Sequence, residues 1–213
     1  MNGMITQVEF TSDLCEFIGD GCIGYCGTGY FFQMTGHAQL DRTYYERRLI
    51  PILLQFIPGL RFRLFTQENT LRLTVYSKAL VMFLHGLGFP LGKKATTVRI
   101  PEHVLSPAAV RGLFDTDGYV FFDKRPTYRK PYLRIGIHLQ NPGLIEQVYD
   151  YLNSRGISAT ITTRKTKVQL NGPAVQNFLV QIGFSNPRHL SKLEETFKRD
   201  SEDTSGIASV AQQ

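Results

Sequence analysis

The chain has 213 residues, of which 42% are hydrophobic, and its formal net charge is +6. This length allows one large domain or two domains of about 90 residues, each with a buried core. No apolar run reaches the length of a transmembrane helix, which argues against an integral membrane protein. The moderate positive charge favours a polyanionic partner such as nucleic acid.

Charge and cysteine are unevenly distributed along the chain. Most of the excess positive charge lies in residues 105–199, whereas residues 200–213 are acidic and polar, which predicts a disordered tail. Cys15, Cys22 and Cys26 lie near the N-terminus, without further cysteines or histidines at zinc-binding spacing. Free thiols in a reducing compartment are the better interpretation. Because no signal peptide is visible, we expect an intracellular protein of the cytoplasm, nucleoid or organelle matrix.

Residues 10–98 predict a first structural unit. Thr11 and Ser12 are candidate N-caps of a short helix that runs into the sequence GDG. Four elements follow in chain order: a strand (YFFQMT), an amphipathic helix (DRTYYERRLIPILLQFI), a hairpin (RFRLFTQENTLRLTVYS) and a last helix (KALVMFLHGLGF).

Residues 106–199 repeat this order after a linker at 99–105. Ser106 followed by Pro107 predicts a helix start, and this helix ends in DTDG. The strands YVFFDKR and YLRIGIHLQ, the helix NPGLIEQVYDYLNSRG, the hairpin SATITTRKTKVQLNG and the helix PAVQNFLVQIGF follow. The sequence therefore predicts an α+β fold of two αββαββα units with antiparallel sheets. Such pseudo-two-fold symmetry suits duplex DNA.

Alternation along the strands places polar side chains on one face of each predicted sheet. For a single strand, a solvated face is the simpler interpretation, but four or more strands with the same chemistry favour contact with phosphates and base edges. The candidate DNA-binding residues are Arg61, Arg63, Arg72, Tyr76, Arg125, Arg129, Arg134, His138, Thr160, Thr162, Arg164, Lys165, Lys167 and Gln169.

Each unit begins with a short helix that ends in an acid followed by glycine: Asp20 before Gly21, and Asp117 before Gly118. An acid in the last turn of a helix costs a few tenths to about 1 kcal/mol. A single Asp-Gly is ordinary turn chemistry, and a calcium loop at DTDG is disfavoured because no glutamate follows at the required spacing. The repetition of the acid in both units is harder to explain by turn chemistry alone.

Small residues would allow the two short helices to pack closely together. They lie four residues apart in each helix, at Cys15 and Gly19 in the first and at Gly112 and Thr116 in the second. Packing there would bring the two aspartates together beside the polar sheet faces. Two converging carboxylates could hold a divalent cation against DNA phosphates, and the cation would offset their mutual repulsion.

The segments DLCEFIGDG and VRGLFDTDG resemble the two motif copies of single-chain LAGLIDADG homing endonucleases. The linking segment LGKKATTVRIPEHVL and the ending IGFSNPRHLSKLEE resemble the DOD-type branch of that family. The resemblance covers roughly residues 10–198, and the first motif departs from the pattern at Cys15 and Glu16. It implies two αββαββα units whose saddle-shaped sheets meet at a two-helix interface and lie astride DNA.

The resemblance also implies roles for individual residues. Asp20 and Asp117 would hold Mg²⁺, together with the backbone carbonyls of Gly19 and Thr116, and Mn²⁺ or Ca²⁺ could replace Mg²⁺ in binding. Basic residues of the family near the cleavage centre match one member of each of two pairs, Lys93 or Lys94 and Arg188 or His189.

A water-holding glutamine of the family matches Gln140, whose equivalent in the first unit is expected at Gly36, next to His37. No dedicated general base is evident. His37 and His138 are weak candidates for that role, since contact with the backbone or DNA explains them better.

By this resemblance we expect a site-specific, Mg²⁺-dependent double-strand DNA endonuclease. It would be monomeric, recognise a long asymmetric target, and leave short 3′ overhangs with 5′-phosphate and 3′-hydroxyl ends. A first residue Met and the ending AQQ favour a free-standing, intron-encoded protein over an intein. Two alternatives stay open: a maturase that binds intron RNA, and a non-catalytic DNA-binding regulator of the same fold.

Overall fold

A computed structural model gives the structure of the chain and describes residues 17, 19–27, 29–92, 98–124, 132–162 and 164–195. The predicted N-terminal cap residues and the predicted disordered tail lie outside these residues. In the first unit the strands are β1 (Gly21–Cys26), β2 (Gly29–His37), β3 (Phe62–Gln67) and β4 (Thr70–Tyr76), and the helices are α1 (residues 42–56) and α2 (Lys78–Gly86).

The second unit begins with helix α3 (Pro107–Asp117). It continues with β5 (Gly118–Asp123), β6 (Tyr132–His138), α4 (Pro142–Ser154), β7 (Ala159–Ile161), β8 (Lys167–Asn171) and α5 (Pro173–Gln181). Residues 187–195 form a further helix, α6, which the sequence patterns did not predict. In the region that contains β1 and β2, the sequence patterns predicted β2 but not β1.

Each unit contains a four-stranded antiparallel sheet. The strand orders are β1-β2-β4-β3 and β5-β6-β8-β7, so the second sheet repeats the topology of the first. The predicted α+β fold with two similar units is confirmed. Matched pairings, Gly21 opposite Met34 and Gly118 opposite Ile137, give a residue-by-residue equivalence between the sheets.

Alternate residues of the central strands β2, β4, β6 and β8 face a hydrophobic core. Ile23, Phe32 and Leu73 are buried in the first sheet, and Ile135 and Leu170 in the second. The core residues of both units belong to one continuous cluster. Burial of apolar surface contributes about 25 cal/mol per Å², so this shared core holds the two sheets in a fixed relation.

Side-chain caps fix the starts of several helices. The Ser106 hydroxyl accepts a hydrogen bond from the Ala109 N–H at 3.2 Å, and Pro107 occupies the first turn of α3, as the sequence predicts. The Asn141 side chain caps α4 by accepting from the Leu144 N–H at 3.1 Å. None of the helices in the described part of the chain is both long and apolar enough to cross a membrane.

Helix α1 is less regular than its counterpart α4. It consists of an α-helical turn (Arg42–Tyr44), a π-helical segment (Tyr45–Leu49) and an α-helix (Ile50–Phe56). Pro51 lacks an N–H and crowds the preceding turn of a regular helix. The wider π-helical turn lies directly before it and relieves that crowding.

Candidate active site and nucleic-acid interface

The ends of the two acid-glycine motifs touch. A Cβ atom added to Gly19 would lie 1.8 Å from Thr116 Oγ1 and 2.5 Å from Asp117 Oδ2, both far inside normal contact distance. Only glycine fits this space without displacement of α3. The backbone of the first motif therefore lies directly against Thr116 and Asp117 in the last turn of α3, at the boundary between the two units.

Both motifs enter the first strand of their sheet in the same way. A Cβ atom on Gly21 would lie 2.2 Å from the Phe17 carbonyl oxygen, and one on Gly118 would lie 2.2 Å from the Phe114 carbonyl oxygen. In each unit the glycine lets the chain turn directly from the motif into the first strand of the sheet. This equivalence places Asp20 and Asp117, the residues before the two glycines, at matched positions on either side of the contact.

The two half-buried carboxylates lie at a junction that suits a hard divalent cation. Oxygen ligands are those that Mg²⁺, Mn²⁺ and Ca²⁺ prefer. Mg²⁺ sites typically use one or two carboxylates and complete their coordination with waters and substrate phosphates. Among the described residues no group of three or more His, Cys, Asp or Glu side chains is arranged to hold a metal ion. The donor set of Asp20 and Asp117, with neighbouring backbone carbonyls, fits a cation shared with a phosphate-bearing ligand.

Asp115 has a different role from Asp117, although both stand in the same helical turn. Its side chain is fully buried and accepts hydrogen bonds from the backbone N–H groups of Ser185 and Asn186, each at 2.9 Å. These groups immediately precede α6. An anionic acceptor at a helix N-terminus is favourable, so Asp115 caps α6 and ties it to α3.

Arg188 and His189 stand in contrasting surroundings. Arg188 Nη2 donates to the Thr116 carbonyl oxygen at 3.2 Å, at the C-terminal end of α3. His189 is 1% exposed and packs on the Phe184 ring. Burial, assisted by the positive charge of Arg188, lowers the pKa of His189 to about 4. Arg188 is therefore the member of this pair that brings positive charge to the motif.

Strand register corrects one equivalence expected from the sequence. Gln140 lies three residues after Ile137, and the residue three after Met34 is His37. The counterpart of the exposed residue Gln140 is thus His37 rather than Gly36. This equivalence follows from the pairing of the strands, counted from the matched glycines, and not from motif spacing. The His37 Nδ1 accepts hydrogen bonds from the N–H groups that follow it in the turn, both at 3.3 Å.

The polar face of the first sheet forms an open depression of about 330 Å³. Arg63 and Arg72 line it with polar and aromatic side chains, and the Arg72 guanidinium lies 5.3 Å from the Phe65 ring centroid. A cation over an aromatic ring is held in place at a modest energetic gain. Predicted DNA-binding residues Arg63, Arg72 and Tyr76 thus share one surface, and exposed Arg61 precedes β3 beside it.

The polar face of the second sheet unites most of the residues predicted there. Arg134 pairs across the strands with Asn171, and His138 pairs with Lys167. Gln169 lies between β6 and Thr160 of β7. Arg134 donates to Asn171 Oδ1 at 2.8 Å and forms an ion pair with Asp123 at 2.7 Å, which fixes its guanidinium on the sheet.

The remaining predicted residues of this unit that the structure describes lie in the hairpin that joins β7 and β8, and they do not share one surface. Thr162 and Arg164 are exposed there. Lys165 forms an ion pair with Glu146 on α4, on the helix side of the sheet, so the structure does not place it with the DNA-binding candidates. Other predicted residues lie outside the described part of the chain: Cys15, Lys93, Lys94, Arg125 and Arg129.

Two polar residues at the junction were not singled out by the sequence patterns. Asp41 and Asn186 are 5% and 1% exposed, respectively, and Asn186 Nδ2 donates to Asp41 Oδ1 at 3.1 Å. Asp41 precedes a helical pattern and Asn186 precedes a proline, which are ordinary capping signals. Nothing in those local signals joins two residues that lie so far apart in sequence.

The structure has two four-stranded sheets with polar outer faces, and a paired acid-glycine motif joins them. A match to a known family identifies this class of fold. Residues 106–189 match the family model described as a LAGLIDADG-like domain. The second unit is thus similar to a LAGLIDADG-like domain, and the whole chain has the fold of single-chain, two-motif LAGLIDADG homing endonucleases.

Solved structures support this fold over nearly the whole chain. The I-LtrWI LAGLIDADG homing endonuclease bound to target DNA is 12% identical, with a TM-score of 0.56, over 93% of this chain and 92% of that chain. I-DmoI in complex with DNA and Ca is 19% identical, with a TM-score of 0.56, over 89% of this chain and 100% of that chain.

The meganuclease I-SmaMI bound to uncleaveable DNA gives a similar result, with 11% identity and a TM-score of 0.54, over 86% of this chain and 88% of that chain. At these identities the likeness establishes the fold. No curated protein sequence matches the chain.

Proposed function

We propose that the chain is a site-specific double-strand DNA endonuclease that uses Mg²⁺. The observation that carries this proposal is the contact of Gly19 with Thr116 and Asp117, because it joins two acid-bearing motifs at one point between two polar sheet faces. The solved structures with this fold include an I-LtrWI and an I-SmaMI complex with DNA, and I-DmoI with DNA and Ca.

Asp20 and Asp117 are the residues that would hold Mg²⁺, with backbone carbonyls of the motif completing the protein ligands. When bound, the cation supplies Lewis-acid stabilisation of charge on a phosphoryl group. The polar side chains of the two sheets would contact opposite halves of a long target, with phosphate contacts positioning the protein and base-edge contacts specifying the sequence. One chain supplies both halves, so a monomer suffices.

Gln140 and His37 are matched by strand register: His37 ends β2, and Gln140 lies two residues after the end of β6. Both carry polar groups able to orient a water molecule or a phosphate oxygen by hydrogen bonding. We propose that hydrolysis leaves 5′-phosphate and 3′-hydroxyl ends on short 3′ overhangs.

The proposal is tested by comparing the wild-type protein with the variants Asp20→Asn and Asp117→Asn on supercoiled plasmid DNA. The plasmid carries the DNA that flanks the gene, and the assay contains Mg²⁺. Each variant keeps its size and hydrogen-bonding shape but loses a negative charge. Because cation stabilisation of a phosphoryl group is worth several kcal/mol, we expect each change to slow cleavage about a hundredfold or more.

Asp150→Asn is the matched control, since Asp150 is an exposed acid on α4; its cleavage rate is expected to equal that of the wild type. DNA binding in Ca²⁺ should persist in all three variants. If the wild-type protein binds this DNA but leaves it intact with Mg²⁺, the nuclease assignment is wrong. A splicing assay with the host intron RNA then separates a maturase from a DNA-binding regulator.

A further inference from the structure

An ion pair links the first unit to the motif helix of the second. Arg188 Nη1 lies 3.2 Å from Asp41 Oδ1, and Arg188 Nη2 donates to the Thr116 carbonyl oxygen at 3.2 Å. Asp41 stands at the start of α1 in the first unit, whereas Arg188 belongs to α6 of the second. One guanidinium therefore bridges a carboxylate of one unit and the residue next to Asp117 in the other.

Asn186 reinforces the same bridge. Its side-chain amide donates both to Asp41 Oδ1 at 3.1 Å and to the Asp115 carbonyl oxygen at 3.0 Å. Asp41 also accepts from the His37 N–H at 2.7 Å through its other oxygen. Both carboxylate oxygens of Asp41 are thus engaged, and this carboxylate has a single defined orientation.

The ion pair between Asp41 and Arg188 is largely buried. The Asp41 side chain is 7% exposed and the Arg188 side chain is 20% exposed. Removing one partner of a buried ion pair leaves the other charge uncompensated, so such a change is felt strongly by the groups around it. Paired surface charges have a much smaller influence.

At the matched helix start of the second unit, the described residues form a different contact. Asn141 there donates to the Val98 carbonyl oxygen at 2.6 Å, in the segment that follows the first unit. The matched residue thus ties α4 to a connecting segment, whereas Asp41 reaches the motif helix itself through Arg188.

We propose that Asp41 is a positioning residue for the metal site, acting through Arg188 on the end of α3. Arg188 brings positive charge to the carbonyl end of a helix, where it offsets both the helix field and the nearby acid. Asp41 holds Arg188 there and thereby sets the position of the Thr116–Asp117 backbone relative to Gly19. This inference rests on the proposed function, because Asp20 and Asp117 are the residues proposed there to hold the cation.

The test measures cation binding directly, apart from cleavage. The chain has ten tyrosines and no tryptophan, so bound Tb³⁺ is detected by tyrosine-sensitised emission. Loss of this signal in Asp20→Asn and Asp117→Asn assigns it to the site. Because changes to residues that orient metal ligands typically cost 10–100-fold in affinity or activity, we expect Asp41→Asn to raise the Tb³⁺ dissociation constant about tenfold.

Glu146→Gln is the matched control, because it breaks the Lys165–Glu146 ion pair, where both side chains are well exposed. Its Tb³⁺ affinity is expected to equal that of the wild type. In cleavage assays, Asp41→Asn should raise the Mg²⁺ concentration needed for half-maximal rate while DNA affinity in Ca²⁺ stays unchanged. The double variant Asp41→Asn with Arg188→Gln should bind Tb³⁺ no more weakly than Arg188→Gln alone, since the two residues act in series.

The outcomes separate this inference from the proposed function. If Asp41→Asn is folded and binds Tb³⁺ as the wild type does, the positioning role is wrong. It is also wrong if Asp41→Asn only lowers the melting temperature and weakens DNA and Tb³⁺ binding in the same proportion. If the wild-type protein binds Tb³⁺ at the two acids but cuts no DNA, the endonuclease proposal fails, and the Tb³⁺ comparison still decides the role of Asp41.

Discussion

On the polar faces of the two sheets, the same three strand positions carry different chemistry. In the first unit Cys26, Phe31 and Tyr76 occupy these positions, and their apolar and aromatic groups line part of the depression on that face. In the second unit they form a hydrogen-bonded ion pair that fixes a guanidinium. By strand register, Cys26, Phe31 and Tyr76 correspond to Asp123, Arg134 and Asn171.

One backbone plan therefore presents two different surfaces to a ligand. A fixed guanidinium suits hydrogen-bond acceptors such as the O6 and N7 atoms of guanine, whereas aromatic and thiol groups suit apolar contacts such as the methyl group of thymine. The difference at these positions agrees with the proposal of an asymmetric target that has two unlike half-sites. Variants at the junction, on the sheet faces and in the helices test this difference between the two units.

The largest expected effect is at the junction, where the matched residues are Gly19 and Thr116. Gly19→Ala would place a methyl group 1.8 Å from Thr116 Oγ1, so the motif must shift. Overpacking of this kind typically costs 1–3 kcal/mol of unfolding free energy. A displacement of the two acids should also reduce cleavage about a hundredfold, since misplaced catalytic groups lose most of their effect. Thermal unfolding and plasmid cleavage measure the two losses.

A swap variant shows whether the junction requires one small and one larger residue. In the double variant Gly19→Ala with Thr116→Gly, the larger side chain moves to the first unit, and we expect it to regain most of the lost stability and activity. Gly86→Ala, where a Cβ atom would meet nothing within 4 Å, is the control and should be neutral or slightly stabilising. A Gly19→Ala protein as active as the wild type would contradict the close contact.

A smaller effect is expected on the sheet faces. Arg134→Ala removes the fixed guanidinium of the second unit, and we expect it to relax the base preference at one position of the target by about 1–3 kcal/mol. Phe31→Ala, the matched change in the first unit, should alter preference less, because an apolar contact discriminates bases less strongly than a bidentate hydrogen bond. Cleavage of a randomised target library by both variants measures the preference at every position. Equal changes in both half-sites would contradict the difference between the two faces.

The sequence predicted the fold well because local patterns determine most of its elements. Ser106 and Pro107 marked the start of α3, and alternation in β6 separated core residues such as Ile135 from polar ones such as Arg134. The repeated Gly-Phe endings and hairpins revealed the duplication. These signals depend on neighbours in sequence, which is why they carry over directly into helices and strands.

The junction was less predictable because it depends on residues distant in sequence. Asp117 was recognised by its motif, but its neighbour Asp115 could not be assigned from one helix, since it caps a second helix about 70 residues further on. Asp41 showed only a local capping signal. The one-residue error at Gly36 has the same origin, because strand register is fixed by pairing across the sheet and not by distance along the chain.

The smallest expected effect concerns the buried hydroxyl group of Tyr45, whose counterpart in the second unit is an aliphatic side chain. Counting from the helix starts at Asp41 and Asn141, Tyr45 corresponds to Ile145, and both side chains are buried. The Tyr45 hydroxyl makes no hydrogen bond within the described protein. Burial, together with the negative charges of Asp20 and Asp41, raises the pKa of Tyr45, so it stays protonated at neutral pH.

A buried hydroxyl without a partner gains nothing from folding, so Tyr45→Phe should leave the unfolding free energy unchanged or raise it by up to about 1 kcal/mol. Cleavage should be unaffected, and urea denaturation with plasmid cleavage measures both quantities. Tyr45→Ile copies the second unit more fully but leaves a cavity, so it should lose stability where Tyr45→Phe does not. If Tyr45→Phe folds normally yet cleaves slowly, the hydroxyl serves the reaction, and the difference between α1 and α4 is a difference between two catalytic halves rather than two ways of filling a core.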